Sequence, residues 1–137
     1  MNILIDTNII LDYLLEREPF FQYSEALFNA IDEDKISAYV TATTLTDIYY
    51  IARKQTKSNE KAKQSILFIL GVMKICPVDR NVIEIALKSG LKDFEDAVQI
   101  ASAITQGLDA IVTRNAKDFT NVNLSILSTS ELLQKIE

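Results

Sequence analysis

The stretch NILIDTNII at residues 2–10 constrains the fold more than any other. Ile3, Leu4 and Ile5 form an apolar run, Asp6 ends it, and a second apolar segment begins two residues later. Such a short run bounded by a charge reads as a buried strand over Asn2 to Ile5. Thr7 to Glu16 then reads as a helix, with Ile9, Ile10, Tyr13 and Leu14 at helical spacing. Pro19 suits the first turn of a second helix reaching about Asp34.

The same grammar repeats along the chain. Ser37 to Val40 reads as a short strand. Thr43 caps a helix through Leu45, Ile48, Tyr49 and Ala52, and Asn59 begins another through Ile66, Ile69 and Leu70. Lys74 to Val78 is β-like, and Pro77 suits a sheet edge or a strand end. Asp79 starts a helix that closes near Gly90, and Asp93 starts one that closes near Gly107. Ala110 to Thr113 and Leu124 to Leu127 read as strands, and Ser128 to Ile136 as a terminal helix. Strands alternating with helices predict an α/β chain, a three-layer α/β/α sandwich around a mostly parallel sheet. At 137 residues the chain suits one domain, 1–137.

Composition narrows the chemistry. There is no histidine and only one cysteine, Cys76. That excludes imidazole bases, histidine-based triads and thiolate zinc sites of the usual kind. The lone cysteine and the lack of a signal-peptide pattern or a membrane-length apolar run lead us to expect a cytoplasmic protein with no membrane contact. The net charge of −5 argues against bulk electrostatic binding of nucleic acid but permits a local basic strip.

Carboxylates therefore carry the argument. In open parallel sheets, ligands bind beyond the carboxyl ends of the strands. Asp6 ends the first strand, and Thr113, Arg114 and Asn115 end a late one. Asp6 is also a good helix N-cap. Asp47 lies in LTDIYYIA, a helical run apolar on nearly every side, where an unpaired carboxylate is costly unless it sits at a solvated edge. Asp93 and Asp96, three apart in DFEDAVQIASA, share one face at a helix start, a spacing that also resembles a capping box. Glu95 points elsewhere, toward solvent. Asn115 and Asp118, in VTRNAKDF, suit either a turn or the site. Carboxylates crowded in one crevice repel one another, and a hard divalent ion such as Mg²⁺ or Mn²⁺ relieves that repulsion.

Together, ILIDTNIILDYL, LTDIYYIA, DFEDAVQIASA and IVTRNAKDF resemble the PIN-domain family, most of all its VapC-like toxin ribonucleases. The resemblance implies a Rossmann-like sandwich that hydrolyses RNA with Mg²⁺ (or Mn²⁺). It assigns catalytic roles to Asp6, Asp47 and Asp96. Asp6 and Asp96 hold the metal, with Asp93 as a helper. Thr7, Asn8, Thr113, Asn115 and Asp118 support the site. Two departures stand out: Asp47 replaces the usual Glu, and Asn115 is uncharged. The resemblance also implies a homodimer and an antitoxin partner. The alternative is a catalytically inactive PIN-like module that binds RNA or protein. An aspartyl phosphatase of the haloacid-dehalogenase type would want a second Asp where Asn8 stands. A receiver domain would want its acceptor at a strand end, not on a helix like Asp47.

RNA binding falls to basic residues. Residues 53–63 hold Arg53, Lys54, Lys57, Lys61 and Lys63 against a single Glu60, while Arg114 and Lys117 flank the expected site. Arg114, Lys117, Arg53, Lys54 and Lys57 are the candidate phosphate contacts. Tyr49 and Tyr50 offer rings that could stack a base, but core packing is the preferred reading.

Overall fold

The computed structural model describes residues 1–119 and 123–137. Strand β1 (Asn2–Ile5) leads into helix α1 (Thr7–Leu14), which is followed by α2 (Phe21–Asp32) and β2 (Ser37–Thr41). Helices α3 (Ala42–Thr56) and α4 (Asn59–Val72) precede β3 (Lys74–Cys76). Then come α5 (Arg80–Lys88), α6 (Phe94–Thr105), β4 (Ala110–Val112), β5 (Ser125–Leu127) and α7 (Thr129–Lys135). The five strands form one sheet in the order β3-β2-β1-β4-β5, and every pairing is parallel.

β1 is the central strand, and its Ile3, Leu4 and Ile5 are fully buried. Burial of that completeness contributes about 2 kcal/mol per side chain. The pleat divides them between the two faces. Ile3 and Ile5 join Val40 and Val112 in a core covered by α1, α2, α3, α4 and α7. Leu4 joins Ile111 on the other face, against Ile100 and Ala103 of α6. Small residues of α6, Ala97 and Ala101, in turn receive Val82 and Ala86 of α5. Helices thus lie on both sides of the sheet, as the alternating pattern predicts.

Local details shift some boundaries. α2 begins at Phe21 rather than Pro19, because the amides of Phe20 and Phe21 turn back onto the Arg17 carbonyl. Thr41, not Thr43, caps α3: it is still extended at the end of β2, and its Oγ1 accepts from the Thr44 amide at 3.1 Å. Ser128 caps α7 in a reciprocal bond pair with Glu131. β3 is an edge strand ending just before Pro77. Tyr50 is not a core residue: it is 60% exposed. Among the described residues, no helix is long and apolar enough to cross a membrane.

Candidate acidic active site

The sheet runs in one direction from β1 through β2 to β3 and in the other through β4 to β5. The order therefore reverses between β1 and β4, and a crevice opens beyond their carboxyl ends. Asp6 stands at its floor. The Asp6 amide donates to the Val112 carbonyl at 3.0 Å, which ties the two strand ends together.

Three donors hold the Asp6 carboxylate. Its Oδ1 accepts from the Thr7 amide at 2.7 Å and from Gln99 Nε2 at 2.9 Å; its Oδ2 accepts from Thr113 Oγ1 at 2.7 Å. The capping and site readings of Asp6 are thus both realised in one side chain. Thr113 also accepts the Asn115 amide at 3.1 Å, so the loop after β4 is set by the same hydroxyl.

A chain of hydroxyls sets the second acid. Thr7 Oγ1 lies 3.0 Å from Thr44 Oγ1, which accepts from Thr41 Oγ1 at 3.0 Å. Thr44 is one turn before Asp47 on α3, so this network fixes the start of α3 against the start of α1. Asp47 and, one turn on, Ile51 both line the crevice. Asp93 caps α6 by accepting the Asp96 amide at 3.0 Å, and both residues line the crevice as well.

The acidic crevice is lined by Asp6, Asp47, Asp93, Glu95 and Asp96, together with Thr7, Asn8 and Asn115. Glu95 departs from its expected orientation. It sits in the second position of α6 and stays exposed as expected, but it lines the crevice alongside Asp47 instead of pointing elsewhere. Partial desolvation, its interaction with the Asp47 carboxylate, and the charges of Asp47, Asp6 and Asp93 push it up to about 7. The crevice therefore concentrates negative charge, and its neighbouring charges disfavour ionisation of Glu95. Among the described residues, no three acids already stand as a closed ligand set. The side chain of Asp118 lies outside the described residues.

Sequence reasoning missed Gln99. It is a buried carboxamide within the small and apolar run of α6, three residues after Asp96 and on the same face, and that placement was the available signal. Asp12 was missed too. It is fully buried, with Arg114 Nε at 3.2 Å and Arg17 at 3.8 Å. Desolvation raises its pKa, opposed by Arg114 and Arg17. Arg114 stacks its guanidinium over Phe20 at 3.9 Å and lines, with Asp12, a separate cavity of about 190 Å³. It is thus engaged away from the acids. Lys117 is exposed in a short 3₁₀ turn, and Arg53, Lys54 and Lys57 are exposed along and just beyond α3.

An all-parallel sandwich with acids at its switch point defines a Rossmann-like α/β/α protein with an anionic site. The chain belongs to the PIN-domain family, whose model matches residues 2–117. No curated protein sequence matches it. Solved structures of similar fold include VapBC-1 from nontypeable Haemophilus influenzae, at 17% identity and a TM-score of 0.71, covering 95% of this chain and 99% of that one. Another is VapBC2 from Rickettsia felis bound to a DNA fragment from its promoter, at 15% identity and a TM-score of 0.68, covering 93% and 98%. A third is VapC20 of Mycobacterium tuberculosis, a sarcin–ricin-loop-cleaving toxin, at 14% identity and a TM-score of 0.67, covering 80% and 86%.

Proposed function

We propose that the chain is a metal-dependent endoribonuclease that hydrolyses RNA phosphodiester bonds, acting as the toxin of a toxin–antitoxin pair. The observation that carries this reading is the meeting of Asp6, Asp47, Asp93, Glu95 and Asp96 in one crevice at the switch point. The donor set fits a hard divalent cation: it is all oxygen, and the rise of Glu95 to about 7, driven first by desolvation, includes repulsion from Asp47, Asp6 and Asp93 that such an ion would relieve. Asp6 and Asp96 would hold the ion, with Asp93 beside them. When bound, Mg²⁺ or Mn²⁺ activates water and neutralises charge on the phosphoryl oxygens.

The chain's own residues do the rest. Thr113, Gln99 and the Thr7 amide hold the Asp6 carboxylate in one orientation. A water oxygen bonds to phosphorus, one P–O ester bond breaks, and the departing sugar oxygen takes a proton. The proton that the water gives up passes to a crevice carboxylate such as Asp47. Arg53, Lys54, Lys57 and Lys117 draw in the phosphate backbone, which makes binding salt-sensitive. Arg114 would reach RNA only by leaving Asp12. A homodimer formed through α2 to α4 would cover Tyr23, Leu67 and Leu70, all exposed in the single chain. An antitoxin partner is supported by the similar structures, several of which are VapBC or toxin–antitoxin complexes.

The second reading, an inactive module that binds RNA or protein, is favoured by the uncharged Asn115 and by the absence of a closed ligand set among the described residues. Cleavage of a short single-stranded RNA with Mn²⁺ separates the two. The wild type should cut. Asp6→Asn and Asp96→Asn should keep the circular dichroism spectrum and lose more than the roughly 100-fold that removing a ligand's outer partner costs. Mn²⁺ alone should raise the wild-type Tm. Equal RNA turnover by all three proteins would sink the nuclease reading.

A further inference from the structure

Helix α3 carries two chemistries in succession. Asp47 and Ile51 face the acidic crevice. Tyr50, Arg53, Lys54 and Lys57 line a shallow depression with Asn59 from the start of α4. At 3.6 residues per turn, Tyr50 and Lys54 lie within about 60° of the Asp47 meridian, about 5 to 10 Å further along the axis, and Lys57 stands just past the last turn. The depression therefore shares a flank of the helix with the second acid.

Tyr50 gains little from burial, being 60% exposed. Yet its ring is braced. Tyr49 meets it edge-on, with centroids 5.8 Å apart and planes at 90°, and the Arg53 guanidinium lies 5.7 Å from its centroid. Among the described residues, Arg53, Lys54 and Lys57 make no ion pair with a carboxylate. On a chain of net charge −5, this is a local concentration of positive charge without carboxylate partners around a largely exposed aromatic ring. A two-fold contact made at the depression itself would set these cations against their own copies, so a homodimer formed through Tyr23, Leu67 and Leu70 would leave it open. A polyanion with flat, unpaired rings matches both features, because bases stack on aromatics whatever their identity while cations track the backbone.

We propose that Tyr50 is the stacking platform for one unpaired base of a single-stranded RNA, and that Arg53, Lys54 and Lys57 hold the phosphates on either side of it. The strand then runs from the acidic crevice along α3. This rests on the RNA-cleaving reading above and adds a preference: in a duplex the bases are already stacked on one another, so duplex RNA cannot use the platform.

Binding is measured without divalent metal, in EDTA, so that cutting does not enter. The probe is a short fluorescently labelled single-stranded RNA of mixed sequence, and its duplex is the comparison. Tyr50→Ala should weaken single-strand binding roughly 5- to 100-fold, the range set by the loss of one stacked base. Tyr50→Phe should restore it, and duplex binding should be unmoved by either change. The chain has no tryptophan, so Tyr50→Trp supplies a unique emitter that single-stranded RNA should quench. If Tyr50→Ala binds like wild type while Arg53→Ala with Lys54→Ala does not, the depression is electrostatic only and the platform is refuted. Equal displacement of RNA from wild type and Tyr50→Ala by polyglutamate would refute it as well. Metal-dependent cutting that Asp6→Asn abolishes, alongside binding indifferent to Tyr50, leaves the nuclease standing and removes only this inference.

Discussion

Two buried carboxylates leave the same short segment, six positions apart, and meet opposite fates. Asp6 is 7% exposed and is held by an amide, a carboxamide and a hydroxyl, all neutral. Asp12 is fully buried and is held by two arginines. Neutral donors orient a carboxylate and leave its charge for something else. Cationic partners consume the charge. The crevice around Asp6 therefore keeps its negative charge uncompensated, as the proposed metal site requires, while Asp12 is faced by Arg17 and Arg114 and anchors the loop carrying Arg114. The difference teaches that burial of an acid does not mark a site; the charge of its partners does.

The sharpest way to break this comparison is to remove a cation from Asp12. Arg114→Ala leaves a desolvated carboxylate with only Arg17 at 3.8 Å, and should cost about 3 kcal/mol of stability. The Asp12 pKa is raised in the fold, so the folded state binds that proton more tightly than the unfolded chain. Stability from this group is present at low pH and lost as pH rises through the folded pKa. The Arg114→Ala penalty, measured by chemical denaturation, should accordingly shrink on acidification. A penalty independent of pH would show that Asp12 is not its cause.

A smaller effect is expected at Asp6. Gln99→Leu removes one neutral donor and should weaken Mn²⁺ binding about 10-fold, read from the metal dependence of Tm. If metal affinity does not change, Gln99 is core packing and does not position Asp6.

The smallest effect concerns Glu95. Its pKa rises from 4.5 to about 7 on folding, so the metal-free protein should lose stability as pH climbs between those values. Glu95→Gln should flatten that slope. The group is solvent-accessible, which screens the effect, so the readout is the slope of Tm against pH rather than its absolute size. An unchanged slope would place Glu95 outside the acidic cluster.

Legibility followed the range of the physics involved. The ends of β1 and α6 were readable because capping and apolar runs act over a few residues; Asp93 does cap α6, as its spacing with Asp96 suggests. Glu95 was placed outside the site because periodicity assigns it a face within α6 only, whereas the crevice forms where the first turn of α6 meets Asp47 of α3. Arg114 looked free beside Asn115, and only the packing of α1 revealed the carboxylate that holds it. Tyr50 looked like core because its neighbours Ile48 and Ile51 are apolar, yet α3 turns it outward.

The sequence alone determined the order of strands and helices, the buried central strand and the exclusion of histidine chemistry and thiolate zinc sites, because each depends on composition or on neighbours within a turn. Only the tertiary structure decided which acids meet, which one is neutralised and which aromatic stays open. Those outcomes depend on residues brought together from distant parts of the chain, such as Gln99 with Asp6, and no local rule specifies that encounter.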